Sequence, residues 1–247
     1  MQRVLLKINN LSKTFGEIEV FKNVNLEIYE KEVLGVLGLS GSGKTTLLNL
    51  LCGFIKPSYG DIQHYDENYE EEYVSIFLHN AQIKSLIGFS SQSESYYPEL
   101  TVKDNLLYFG TLENIKKNEI ESEINRILKT LELGEAEEIL GENLSGGMKK
   151  RLDIACALIS KPKILILDEP TSNLDFKLRK DILNLIKKIS STGVTVIFVS
   201  HYIDEISAVS DRVAIVHNKN VTIDTKSDLQ KKFTKTLQKD GEIITNI

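Results

Sequence analysis

No run of apolar residues in this sequence approaches the roughly 18 to 20 that a membrane-crossing helix needs. The chain is therefore expected to be soluble as written. Met1-Gln2-Arg3-Val4 leads directly into a strand pattern rather than a signal peptide, so a membrane role would require another polypeptide to supply the span. Basic charge is not in excess either. A formal net charge of -5 and a pI near 5.5 give no electrostatic reason for non-specific nucleic-acid binding, and no nucleic-acid partner is expected. Cysteine is scarce: Cys52 and Cys156 are far apart, with no C-x-x-C and no zinc spacing, and read as buried reduced thiols of a cytosolic protein. Internal repeats and low-complexity segments are also lacking. What is present is 247 residues at 41% hydrophobic content, enough for one large domain or a core with a subdomain.

The strongest local signal is Gly38-Leu39-Ser40-Gly41-Ser42-Gly43-Lys44-Thr45-Thr46. It follows the apolar run Val33-Leu34-Gly35-Val36-Leu37 and precedes Leu47-Leu48-Asn49-Leu50-Leu51, a strand, glycine loop and helix in the order the G-x-x-x-x-G-K-[ST] pattern requires. Gly38, Gly41 and Gly43 permit positive φ and close backbone approach, so that successive N–H groups and the helix N-terminus can face one anion. Lys44 adds a mobile charge for β- and γ-phosphates, and the Thr45 hydroxyl can ligate Mg²⁺.

Along the chain, residues 4–8 and 20–28 read as strands. Phe15 in the turn between them either covers the core edge or offers a platform for adenine. Residues 61–83 read as irregular, with an acidic run around 66–72 expected to be a solvated loop. A short buried strand ends at Ser91-Gln92. From Thr101 the α/β alternation gives way to about fifty residues of helix, including the one-faced pattern Ile120, Ile124, Ile127, Leu128 and Leu131. Alternation then resumes with a helix opened by Leu144-Ser145-Gly146-Gly147, a strand over 163–167, a helix over 178–189, a strand over 194–199, and two strands around the turn His217-Asn218-Lys219-Asn220. The tail reads as a frayed helix. These boundaries divide one domain into a core over 1–92 and 145–225, a helical subdomain over 93–144 and a tail over 226–247.

Asp168 closes an apolar strand, at the sheet edge where ligands of open α/β sheets bind. It is a candidate Mg²⁺ ligand, and Glu169 a candidate base for an attacking water; a helix-capping pair is the other reading of these two acids. His201 closes the next strand; a lone histidine is more often structural, but its place beside the other strand-end groups favours contact with a γ-phosphate. Ser145 and Gly147 pose a different problem. They form a second anion cradle or an ordinary N-cap, in a chain with one lysine-bearing loop.

Taken in order, the P-loop, Gln92, residues 144–151, residues 164–169, Ser172-Asn173-Leu174-Asp175 and His201 resemble the nucleotide-binding subunit of ABC transporters along nearly the whole chain. The resemblance implies a RecA-like, mostly parallel α/β sheet with an N-terminal antiparallel β subdomain and an inserted α-helical subdomain. It implies an ATPase that binds ATP and Mg²⁺ and pairs head to tail with a second nucleotide-binding subunit, so that Ser145 and Gly147 of one chain reach the γ-phosphate held by Lys44 of the other. Phe15 matches the adenine-stacking aromatic and Gln92 the glutamine that contacts Mg²⁺. Asp175 matches an aspartate that touches the facing subunit, Glu169 the catalytic base and His201 the switch histidine. Met148 stands where many members carry glutamine, and Met148-Lys149-Lys150-Arg151 resembles the drug and lipid exporter branch. The expected setting is the cytoplasmic face of a membrane, peripheral on a separate permease. The alternative is a soluble non-transport member, such as one serving iron–sulfur assembly.

Overall fold

The computed structural model describes residues 2–66, 73–78 and 86–224. Most of the acidic run and the whole tail lie outside the described residues. Strands β1 (Val4–Phe15) and β2 (Ile18–Tyr29) are longer than the sequence pattern suggests and meet in a tight turn at Gly16. Register shifts between Ile8 and Leu11 and between Leu11 and Lys13, with Asn10 at φ 48, break the period of two and hide the second half of β1 from a pattern reading. β1 also pairs with β4 (Tyr59–Tyr65), which pairs with β5 (Tyr73–Ser75), completing an antiparallel sheet of order β2-β1-β4-β5. This corrects the expectation of irregular chain for residues 61–65 and 73–75; residues 67–72 and 79–83 of that span lie outside the described residues. The alternation is real in β4, but buried His64 stands at an inward position beside Ile62, and a polar residue type there disguises the apolar face.

The second sheet runs β10-β9-β3-β8-β7-β6, built from β3 (Val33–Leu37), β6 (Ile87–Ser90), β7 (Ile164–Asp168), β8 (Thr195–Val199), β9 (Arg212–His217) and β10 (Asn220–Asp224). All neighbours are parallel except β9 and β10. Strands buried on both faces of a parallel sheet need apolar residues at every position, which is why β3, β7 and β8 read as continuous runs. In β7, Ile164 and Ile166 pack in the layer shared with β1, β2 and helix α1 (Lys44–Leu51), whereas Leu165 and Leu167 pack in the helical layer on the opposite face. Fully buried Phe198 of β8 belongs to that helical layer, and truncating such a side chain to alanine costs about 3–5 kcal/mol.

The helical subdomain contains α2 (Val102–Leu112), α3 (Lys117–Leu131) and two single 3₁₀ turns. Thr101 caps α2 by accepting the Asp104 N–H at 3.0 Å. In α3 the predicted stripe, Ile120, Ile124, Ile127, Leu128 and Leu131, is buried in the same cluster as Leu152 and Ile159 around α4 (Gly146–Leu158). The remaining helices, α5 (Phe176–Ser191) and α6 (Ile203–Val209), cover the sheet on that side. No helix among the described residues is long and apolar enough to cross a membrane.

Candidate functional site

Parallel pairing of β3, β8 and β7 brings three loops to one sheet edge: residues 38–43 after β3, Glu169 after β7 and Ser200-His201 after β8. The first is a cradle that needs glycine at positions 38, 41 and 43. A Cβ on Gly38 would lie 2.6 Å from Ser42 Oγ and 2.7 Å from the Val216 carbonyl, while Gly41 and Gly43 hold φ of 76 and 106. Gly43 is also pressed from behind, since a Cβ there would meet Val20 at 2.8 Å and Phe21 at 3.1 Å. The β1–β2 hairpin thus fixes the loop from which α1 departs.

Within the cradle, Lys44 Nζ donates to the Gly38 and Leu39 carbonyls, both at 2.9 Å, which leaves the third ammonium donor for an anion. Burial pushes the Lys44 ammonium below its usual pKa, and the Glu169 and Asp168 carboxylates oppose that shift. Ser42 Oγ is buried without a hydrogen-bond partner. Thr45 is exposed at the first turn of α1, and Thr46 and Leu39 are half-buried beside it; Ser40 is exposed at the rim. An unpaired hydroxyl, a desolvated ammonium and a helix N-terminus together favour a multiply charged anion.

Opposite the cradle, Asp168 has its pKa raised by burial and then by Glu169, with Lys44, Lys150 and His201 pulling it back. Glu169 adopts φ 49, a left-handed conformation rarely held by a non-glycine residue, and its carboxylate is shared. Oε1 lies 2.5 Å from His201 Nε2 and Oε2 accepts the Gln92 Nε2 hydrogen at 3.2 Å. Gln92, Glu169 and His201 therefore form one continuous set across β6, β7 and β8. His201 and Gln92 are exposed, which leaves the set open toward solvent. Among the described residues no group of three or more His, Cys, Asp or Glu could hold a metal alone. The oxygens of Asp168, Thr45 and Gln92 are hard donors that suit Mg²⁺ sharing its shell with phosphates and water.

Phe15 is 47% exposed at the hairpin tip, with Lys13 Nζ 4.7 Å from its ring centroid. It covers no core edge. Ser145 and Gly147 belong to the start of helix α4. Ser145 is exposed and caps α4 by accepting the Met148 N–H at 3.4 Å; Gly146 beside it is exposed, whereas Gly147 is buried against Leu178. Asp175 likewise caps α5, accepting the Leu178 N–H at 3.0 Å. Sequence reasoning missed Asp153, a buried carboxylate on α4 that accepts from Ser90 Oγ, from Ser95 N–H at 2.9 Å and from Lys150 Nζ at 3.3 Å. It ties both sides of the Gln92 loop to the helix that Ser145 opens. Nothing in its local sequence separates it from a solvated helical aspartate.

A profile described as ABC transporter matches residues 21–172. Linearmycin resistance ATP-binding protein LnrL of Bacillus subtilis (strain 168) is 33% identical over 226 residues, covering 91% of this chain and 70% of that protein. ATP-binding cassette sub-family A member 9 of Homo sapiens is 36% identical over 217 residues, covering 86% of this chain, but the chain spans only 13% of the human protein. Among solved structures, cbiO1 from Clostridium perfringens, part of the ABC transporter complex cbiONQ, superposes with a TM-score of 0.82 at 26% identity, covering 96% of this chain and 94% of that one. A dimeric ATP-binding cassette in a post-hydrolysis state bound to ADP and Pi superposes with a TM-score of 0.73 at 30% identity, covering 90% of this chain and 99% of that one.

Proposed function

The chain belongs to the ABC transporter family, and from that premise we propose that it is an ATPase subunit whose site is completed by a second nucleotide-binding subunit and which powers export through a separate membrane-spanning permease. The observation that carries this reading is the division of the anion-binding groups. Lys44, Asp168, Glu169 and His201 converge on one sheet edge, whereas the α4 terminus exposes Ser145 and Gly146 to solvent and buries Gly147 against Leu178. A second copy or a close relative, turned head to tail, would bring that terminus to the phosphate tail held by the first chain.

In this reading Phe15 stacks on adenine, and residues 38–46 bind the phosphates through backbone N–H groups and Lys44. Glu169 takes a proton from the attacking water, and His201, which shares the Glu169 carboxylate, donates toward the γ-phosphate and holds the base in place. Thr45, Gln92 and Asp168 would hold Mg²⁺, which when bound neutralises phosphate charge. The positive φ of Glu169 is a backbone conformation that a non-glycine residue rarely holds, and it supports a functional role for the carboxylate it carries. The resemblance of Met148–Arg151 to the drug and lipid exporter branch supports export, as does likeness to LnrL, named for resistance to linearmycin, and attachment to a permease would place the chain on the cytoplasmic membrane face.

Mixing two inactive variants tests the shared site. Lys44→Ala removes the phosphate lysine and Ser145→Arg blocks the α4 terminus. Mixed together, they should recover ATP hydrolysis that neither shows alone, because a mixed pair contains one intact composite site. No recovery, with both variants folded and Ser145→Arg still binding ATP, would count against the proposal.

A further inference from the structure

Behind the Glu169–His201 pair lies Glu205, in the first turn of α6 and only 4% exposed. Its Oε2 accepts two hydroxyl hydrogens, from Thr171 Oγ1 and from Ser200 Oγ, each at 2.6 Å. Thr171 lies two residues beyond Glu169, and Ser200 immediately precedes His201. Ser200 Oγ in turn accepts the Tyr202 N–H at 3.0 Å, so a polarised chain runs from the backbone after His201, through Ser200, to the carboxylate. The other oxygen, Oε1, has no hydrogen bond; Arg179 Nη1 approaches it at 3.9 Å while Arg179 Nε donates to the Leu174 carbonyl at 2.8 Å. The Arg179 guanidinium also sits over the Tyr202 ring at 4.7 Å. One buried carboxylate therefore touches the loop after β7, the loop after β8 and, through Arg179, the chain leading to Asp175.

We propose that Glu205 is a positioning residue for hydrolysis: it binds the Thr171 and Ser200 hydroxyls on one oxygen and so sets the separation and direction of Glu169 and His201. Two loops from adjacent strands have no backbone bond between them beyond the strand ends, and a shared acceptor fixes them relative to each other. A buried carboxylate is a costly way to fill core space, and here its hydrogen-bonded oxygen is given wholly to the two loops that carry the reacting pair. The paired hydroxyls also explain why Ser200 and Thr171, at 2% exposure each, are polar at all. Glu205 touches no nucleotide-binding residue of the 38–46 loop by any hydrogen bond among the described residues.

The inference rests on Glu169 and His201 being the hydrolytic pair. In the full chain with Mg-ATP, Glu205→Gln should lower kcat on the order of ten- to a hundredfold, the scale of a small misplacement of reacting groups, with the nucleotide Kd unchanged. Thr171→Val and Ser200→Ala should each lower kcat, also with unchanged nucleotide Kd, and adding either to Glu205→Gln should bring little further loss. A merely structural Glu205 would lower the melting temperature and the active fraction while kcat per nucleotide-loaded molecule stayed parental, and that result overturns the proposal. So do losses that multiply in the combined variants. If Glu205→Gln does not fold, the two hydroxyl variants decide, and parental kcat in both is the overturning result. Glu169→Gln run alongside keeps the two readings apart. Its retention of activity would fail the base assignment, whereas its loss of activity with parental Glu205, Thr171 and Ser200 variants would fail the positioning role alone.

Discussion

Replacing Glu169 with glutamine changes one charge and almost no volume, at a residue whose oxygens are held by His201 at 2.5 Å and by Gln92 at 3.2 Å. The amide can keep one of these contacts through its oxygen but cannot accept a proton from water. Loss of a positioned general base removes about a hundred- to ten-thousandfold of rate, or roughly 3–5 kcal/mol of barrier. Binding should not follow. Glu169 repels Asp168, and that repulsion is part of what raises the Asp168 pKa, so its removal lets Asp168 ionise more readily and lessens the field opposing a triphosphate. Glu169→Gln is therefore expected to bind ATP as tightly as the parent or more tightly, with phosphate release at saturating Mg-ATP reduced by about the factor above. Phosphate-release kinetics and nucleotide titration on the same preparation separate the two effects. Turnover at the parental rate would refute the base assignment, and a parallel loss of ATP binding would refute the electrostatic argument.

Asp168→Asn should stabilise the nucleotide-free protein while weakening Mg-ATP binding. Its folded pKa is raised above the ordinary 3.8, so the native state holds a proton more tightly than the unfolded chain; stability declines as pH rises from there through the folded pKa, and the penalty is complete above it. Relief of such a desolvated charge should raise the melting temperature near neutral pH, and the gain should shrink as the pH is lowered into the carboxylate range. A nucleotide-free Asp168→Asn that melts lower than the parent at neutral pH contradicts this. Gly43→Ala forces a Cβ to 2.8 Å from Val20 at φ 106, so it should abolish nucleotide binding more severely than Gly41→Ala, where nothing lies within 4 Å; titration of the two variants checks the order. Both cysteines should resist alkylation in the native protein at pH 8. Burial, with a smaller push from Asp168, raises the Cys52 thiol to about 12, and burial also raises Cys156, whereas denaturant should release both; rapid native labelling of either would count against the packing described.

What could be read from sequence followed from how local each signal was. The P-loop is legible because strand, glycines, lysine and helix are contiguous, and α3 because its stripe repeats within fifteen residues. β7 is legible because burial on both faces demands Ile164-Leu165-Ile166-Leu167 without interruption. β4 was illegible because its pairing partner lies some fifty residues away in β1 and His64 occupies an inward position. Among functional groups, Glu169 and His201 could be placed from strand ends alone, but not the 2.5 Å contact between them, which depends on β7 and β8 being adjacent. Asp153 and Glu205 look like surface acids of helices in the sequence. Their roles come from hydroxyls at Ser90, Thr171 and Ser200, whose proximity only the folded sheet supplies.

The measurement that bears most directly on the composite site is the specific ATPase rate as a function of chain concentration at saturating Mg-ATP. A site completed by a second chain requires association, so the rate per chain should rise with concentration and level off as dimers fill, and light scattering of Glu169→Gln should show Mg-ATP doubling the 27.9 kDa chain mass. A rate per chain that stays constant on dilution, from a protein that light scattering shows to be monomeric while it hydrolyses Mg-ATP unaided, would contradict a site that needs a second chain.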